Sequence, residues 1–130
     1  MYQISKRIEV AGSHQLALDY DSPCQHLHGH NWIITVHVEG KYLDNNGMLI
    51  DFKHIKEIVN QLDHAFINDV VDQANSTAEY IAEWVAERVQ GEIDSTWKGK
   101  NLQSGVLEMF PTVTKVEVQE SEGNLACYIP

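Results

Sequence analysis

Two stretches of this chain alternate apolar and polar residues with a period of two, and both lead to histidines. From Tyr2 to Val10, residues Tyr2, Ile4, Ile8 and Val10 share one face and Gln3, Ser5, Arg7 and Glu9 the other. From His28 to about Glu39, Trp32, Ile34, Val36 and Val38 line a face that also carries His28 and His30. Side chains of an extended backbone repeat every second residue, so this pattern specifies half-buried strands and works against helices. If the first strand continues past Gly12, His14 falls on the face of Val10.

The rest of the chain supplies the partners that such strands need. Tyr20 to Gln25, with Asp21, Ser22 and Pro23, reads as a loop, and Asp44-Asn45-Asn46-Gly47 as a turn before a short extended piece, Met48 to Ile50. Asp51 is placed to cap a helix in which Phe52, Ile55, Ile58, Val59 and Leu62 recur at helical spacing, ending near Asp63. Ser76 and Glu79 have the spacing of a capping box ahead of the stripe Ile81, Trp84, Val85 and Val89, and Gly91 is the expected stop. Glu92 to Pro111 shows no clean period and reads as irregular. Val113 to Glu120, a turn over Ser121 to Asn124, and Leu125 to Ile129 form a closing hairpin.

The order strand-strand-helix-helix-strand-strand predicts one α+β domain over residues 1–130, a four-stranded antiparallel sheet with two helices on one face. Such a small sheet leaves unpaired edges, which copies of the same chain can satisfy; a homo-oligomer is expected. Nine Lys and Arg against nineteen Asp and Glu leave a net charge of −10 over 130 residues. That balance argues against nucleic-acid binding and against docking on an anionic membrane. There is no apolar run of membrane-spanning length and no secretory pattern at Met1 to Ile4, so the expected compartment is the cytoplasm, with Cys24 and Cys127 as free thiols.

Seven histidines are present, and three fall within five positions, His26, His28 and His30. His28-Gly29-His30 presents two imidazoles on one strand face, a weak metal signal by itself. With His14 on the same face of the neighbouring strand, three neutral imidazoles converge, the ligand pattern of a catalytic zinc with an open position. Cys24, four residues before His28, has two readings: a fourth ligand closing a structural Cys-His₃ site, or a thiolate base beside an open one. Asp63-His64 is a carboxylate beside an imidazole it could orient, or a helix end with a surface ion pair. Glu120 follows Val116 and Val118 on an apolar face, where it is either functional or turning into solvent.

In order along the chain stand His14, Cys24-x-x-x-His28-Gly-His30, Leu49-Ile50-Asp51-Phe52, Leu62-Asp63-His64, Ser76-Thr77-Ala78-Glu79 and Val118-Gln119-Glu120-Ser121. Together these resemble the 6-pyruvoyl-tetrahydropterin synthase family, and within it the bacterial branch that forms 6-carboxy-5,6,7,8-tetrahydropterin for queuosine (7-deazaguanine) biosynthesis. The resemblance implies a T-fold, assembled into a trimer or hexamer with sites at subunit interfaces. It implies zinc held by His14, His28 and His30, Cys24 as base, and Asp63 and His64 completing a proton relay. Glu120 would anchor the pterin, with Thr77 and Glu79 lining its pocket. The implied substrate is 7,8-dihydroneopterin triphosphate, and the implied products are 6-carboxytetrahydropterin, acetaldehyde and triphosphate. A 6-pyruvoyl product, a related pterin lyase, or a non-catalytic Cys-His₃ zinc module are the alternatives. Gln15 and His26 stand where arginine is common in the family, which removes fixed positive charge near a site for phosphates.

Overall fold

The computed structural model describes residues 1–98 and 110–130. Strand β1 (Tyr2–His14) pairs antiparallel with β2 (His28–Gly40), β2 with β3 (Thr112–Ser121), and β3 with β4 (Asn124–Tyr128), giving a sheet in the order β1-β2-β3-β4. Between β2 and β3 lie α1 (Phe52–Val59), the short α2 (Ile67–Val71) and the long α3 (Ala78–Lys98). The α+β architecture expected from the alternation is therefore present, with α2 as an addition.

The even-numbered face of β1 and β2 is the core. Trp32, Ile34, Val36 and Val38 are fully buried there, joined by Ile8 and Val10 from β1 and by Val113, Val116 and Val118 from β3. The helices cover it through Ile55 and Val59 of α1 and Ile81, Val85, Val89, Ile93 and Trp97 of α3. Each such side chain contributes about 1.5–3 kcal/mol when removed from water. Among the described residues no helix is long and apolar enough to cross a membrane.

Several local expectations are corrected. Gly91 does not end the second helix; α3 runs on to Lys98. Ile93 and Trp97 extend the buried stripe, and the Trp97 indole donates to the Leu49 carbonyl at 2.9 Å, which outweighs the roughly 1 kcal/mol that a mid-helix glycine costs. The expected irregular stretch from Glu92 is thus helical as far as Lys98, and its remainder, residues 99–109, lies outside the described residues. Ser76 is not the helix cap: the Thr77 hydroxyl accepts from the Tyr80 amide at 3.3 Å, while Ser76 is buried and bonded elsewhere. Met48 to Ile50 is a bend, with Leu49 and Ile50 turned into the core. Asp51 caps α1 as expected, accepting from the Lys53 amide at 2.9 Å. The helix ends at Val59, and a single 3₁₀ turn, Asn60–Leu62, carries the chain to Asp63.

One close approach brings the Asp63–Phe66 segment to the sheet. A Cβ on Gly12 would lie 2.7 Å from Ile67 Cδ1 and 2.9 Å from the Leu62 carbonyl, so only glycine admits this packing. The segment then lies along the outer edge of β1: the His64 amide donates to the Ala11 carbonyl at 2.6 Å and the Ser13 amide to the Ala65 carbonyl at 3.0 Å. That end of the β1 edge is covered by the chain itself.

Candidate metal centre and active site

Past Trp32, the core face of the sheet changes from hydrocarbon to imidazole. β1 continues through Gly12 to His14, and the register sets His14 directly opposite His28, with Gly12 opposite His30. The three rings meet edge to face, His14 to His28 at 4.5 Å between centroids, His14 to His30 at 5.2 Å and His28 to His30 at 4.8 Å. Trp32 forms the floor, edge-on to His14 and His30.

Glu120 is the fourth member. The pairing of β3 with β4 slips between Gln119 and Ser121, leaving Glu120 as the extra residue of a bulge, a device that re-aims a side chain. Its Oε1 stands 3.4 Å from His14 Nε2 and 3.5 Å from His30 Nε2. One donor atom from each of His14, His28, His30 and Glu120 lies within 4.8 Å of the others.

The hydrogen bonds around these rings decide what they can hold. His14 Nδ1 is 2.8 Å from the Ser76 carbonyl and His28 Nδ1 is 2.7 Å from the His26 carbonyl. A carbonyl only accepts, so both Nδ1 atoms carry the proton and, in neutral rings, both Nε2 atoms present lone pairs. Those two Nε2 atoms face each other at 2.9 Å. Two lone pairs at that distance repel unless a cation stands before them. His30 Nε2 is buried with no hydrogen-bond partner among the described residues.

Protonating the rings is the costlier remedy. Burial pushes the His14 pKa below the ordinary imidazole value, more than the Ser76 carbonyl and the Glu120 charge raise it. His30 is lowered by burial in the same way, against the pull of Glu120. Neutral imidazoles with convergent lone pairs are what a divalent cation requires of its ligands, so the donor set fits a metal such as zinc.

The other expected site residues are placed differently. Cys24 lies half-buried in a 3₁₀ turn, Pro23–Gln25, outside the four-residue group. Among the described residues the fourth side chain beside the three histidines is that of Glu120, and Cys24 is not grouped with them. Asp63 accepts from the Ala11 amide at 2.9 Å through one oxygen and stands 3.5 Å from His64 Nε2 with the other. His64 has left-handed backbone (φ 54°), and its side chain is 84% exposed. With His30, Asn31 and Phe66 it lines an open cleft of about 510 Å³. No hydrogen bond or ion pair links Cys24 to Asp63 or His64 among the described residues. Thr77 caps α3 and Glu79 is exposed in its first turn, so neither reaches the cluster by a hydrogen bond.

Two features were missed. That Glu120 stands with the imidazoles was not foreseen: its parity with Val116 and Val118 marked the face, but only the bulge brings it beside His14 and His30. The Ser76 carbonyl that orients His14 had no signal, because a backbone oxygen is common to every residue.

Fold and cluster define a small α+β protein with a three-histidine, one-carboxylate metal centre candidate at one end of its sheet. The sequence profile of the 6-pyruvoyl tetrahydropterin synthase family matches residues 3–130. The chain belongs to that family, whose members are enzymes. A Pyrococcus abyssi relative is 37% identical over 109 residues, covering 62% of this chain and 69% of that protein. The 6-carboxy-5,6,7,8-tetrahydropterin synthase of Bacillus subtilis is 26% identical over 136 residues, covering 99% of this chain and 86% of its own. The dihydroneopterin monophosphate aldolase of Pyrococcus furiosus is 35% identical over 82 residues, covering 60% and 68%. Among solved structures, the 6-pyruvoyl tetrahydropterin synthase of Caenorhabditis elegans superposes with a TM-score of 0.67 over 99% of this chain and 95% of that one, at 18% identity. That likeness carries the T-fold.

Proposed function

We propose that this enzyme converts 7,8-dihydroneopterin triphosphate into 6-carboxy-5,6,7,8-tetrahydropterin, acetaldehyde and triphosphate, the product being that in the name of its Bacillus subtilis relative. We place the step in queuosine (7-deazaguanine) biosynthesis, in the cytoplasm. The observation that carries the reading is the pair of opposed Nε2 lone pairs on His14 and His28, beside His30 and Glu120. A zinc ion held there supplies Lewis acidity toward the oxygens of the substrate side chain.

The chain's own residues do the rest. Cys24, as thiolate, removes the proton from the carbon next to those oxygens, and Asp63 and His64 hand protons on. Because His64 points into solvent while Cys24 sits apart from it, the relay closes across a subunit interface in a trimer or hexamer, Cys24 of one protomer meeting His64 of another. The free edges that such an assembly would join are β4 and the Tyr2–Val10 part of β1. Glu120 stands 3.4 Å from His14 and 3.5 Å from His30; swung off them when substrate enters, its carboxylate can accept two parallel hydrogen bonds from the guanidine-like edge of the pterin, with Thr77 and Glu79 lining the pocket beside it.

A second reading, aldol cleavage of a monophosphorylated dihydroneopterin, is the activity in the name of the Pyrococcus furiosus relative. One observation favours it. Among the described residues the charges acting on His14 and His30 are other histidines and Glu120, with no Lys or Arg, and the Gln15 side-chain amide is committed to the Gln25 carbonyl at 2.8 Å. The purified, zinc-loaded protein incubated with each pterin separates the readings by mass spectrometry. Acetaldehyde and a 6-carboxy product support the first, and an intact three-carbon side chain shows a 6-pyruvoyl-forming enzyme. Cleavage of the monophosphate alone establishes the second.

A further inference from the structure

We infer that Asn68 is the positioning residue for the metal ligand His14, acting through the backbone carbonyl of Ser76; this rests on the metal reading of the site. Asn68 lies in α2 and uses its whole side-chain capacity of two donors and two acceptors. Its Nδ2 donates to the Gln15 carbonyl at 2.7 Å and to the Ala74 carbonyl at 3.0 Å. Its Oδ1 accepts from the Gln15 amide at 3.1 Å and from the Ser76 hydroxyl at 2.7 Å. One amide thus ties the residue after His14 to Ala74 and Ser76, two points on the segment that leads into α3.

That segment, residues 72–77 between α2 and α3, belongs to no helix or strand. The Thr77 carbonyl already accepts from the Ile81 amide of α3 at 2.9 Å, but the Ser76 carbonyl before it points to a side chain and not into a helix or strand ladder. The Ser76 carbonyl stands 2.8 Å from His14 Nδ1, and Ser76 and His14 are both fully buried. If the carbonyl turned away, His14 would lose the acceptor that keeps its proton on Nδ1, and the Nε2 lone pair would no longer be assured for a metal. Outer partners of this kind set the tautomer and orientation of ligating histidines and are worth about 10–100-fold in metal affinity. Asn68 is one bond further out than the usual partner, but it alone holds the hydroxyl of Ser76 and both backbone groups of Gln15.

The test compares Asn68→Ala, Asn68→Asp and Ser76→Ala in the full chain. Zinc affinity is read by competition with a chromophoric chelator, and the His14 tautomer by ¹⁵N chemical shifts of the metal-free protein at a pH where the rings are neutral. Asn68→Ala should lose about 10–100-fold in zinc affinity, and its His14 proton should be shared between the two nitrogens. Asn68→Asp keeps both acceptor bonds, including the one from the Ser76 hydroxyl, but sets an acceptor-only carboxylate oxygen against the Gln15 and Ala74 carbonyls, so it should also bind zinc more weakly than the wild type. Ser76→Ala removes only the hydroxyl link and should show the smaller loss. If Asn68→Ala fails to fold, the two milder variants decide. A folded Asn68→Ala protein with unchanged zinc affinity and the proton still on Nδ1 would falsify the assignment, as would a loss of thermal stability with the His14 proton unmoved. Should the wild-type chain bind no zinc, the metal reading falls by itself, and the tautomer shift still decides what Asn68 does to His14.

Discussion

Strands β1, β2 and β3 carry two imidazole–carboxylate clusters on opposite faces of the same sheet. On the covered face stand His14, His28, His30 and Glu120; on the open face His37 lies 3.4 Å from Glu117, which Lys115 also holds at 3.1 Å. The residue types are nearly the same, and the chemistry is not. On the open face a cation is already built in: the Lys115 hydrogen bond, with a smaller share from His37, pulls the Glu117 carboxyl below its ordinary value. On the covered face no cationic side chain among the described residues answers the lone pairs, and burial lowers the His14 and His30 pKa values, which favours the neutral rings. One cluster is a satisfied surface ion pair, and the other has the donor set that could hold a metal.

The sharpest way to break this contrast is to remove one imidazole from each cluster. His14→Ala should lower zinc affinity by more than the roughly 10–100-fold that outer partners carry, whereas His37→Ala should leave it unchanged; equilibrium dialysis reads both. Equal losses in the two variants would mean that the open face also binds the metal.

Next in size is Cys24→Ala. The variant should keep its zinc and lose turnover by about 10²–10⁴-fold, the usual share of a general base. His64→Ala should do the same, and mixing the two after unfolding and refolding together should restore part of the activity, because some interfaces then pair an intact Cys24 with an intact His64. No recovery would place the relay within one protomer or dissolve it.

The clusters should also separate on a pH axis in the metal-free protein. A histidine whose folded pKa is lowered contributes stability that is complete above its unfolded value and is lost as pH falls through the folded one. For His14 and His30 that loss begins below the ordinary 6.5. Glu117 follows the same sign from a lower start: its contribution is complete above 4.5 and fades as acid protonates it. Denaturant midpoints measured against pH should therefore show two steps, the upper removed in His14→Gln and the lower in Glu117→Gln. The smallest effect is a control remote from both clusters. Gly91→Ala meets no atom within 4 Å at its new Cβ and should stabilise the protein by about 0.4–1 kcal/mol, since α3 passes straight through it.

Much of this comparison was legible beforehand. Strand parity alone put His14, His28 and His30 on the Trp32 face, because an extended backbone leaves each side chain only two directions. It failed where local signals competed with long-range packing. Gly91 looked like a helix stop, yet the burial of Ile93 and Trp97 against the core carried α3 onward. Ser76 looked like a cap, yet its hydroxyl is held by Asn68 and its carbonyl by His14, leaving Thr77 to cap the helix.

The sequence by itself determined the alternating strands, the helix-covered face, the family and three of the four donor residues. These follow from periodicity and side-chain identity, which neighbouring residues express together. Tertiary structure alone decided that a bulge delivers Glu120 to the imidazoles, that Cys24 stands outside them, and that the carbonyls of Ser76 and His26 choose the tautomers. A carbonyl looks the same in every residue, so its direction becomes information only when the folded chain brings it to within 2.8 Å of a histidine ring.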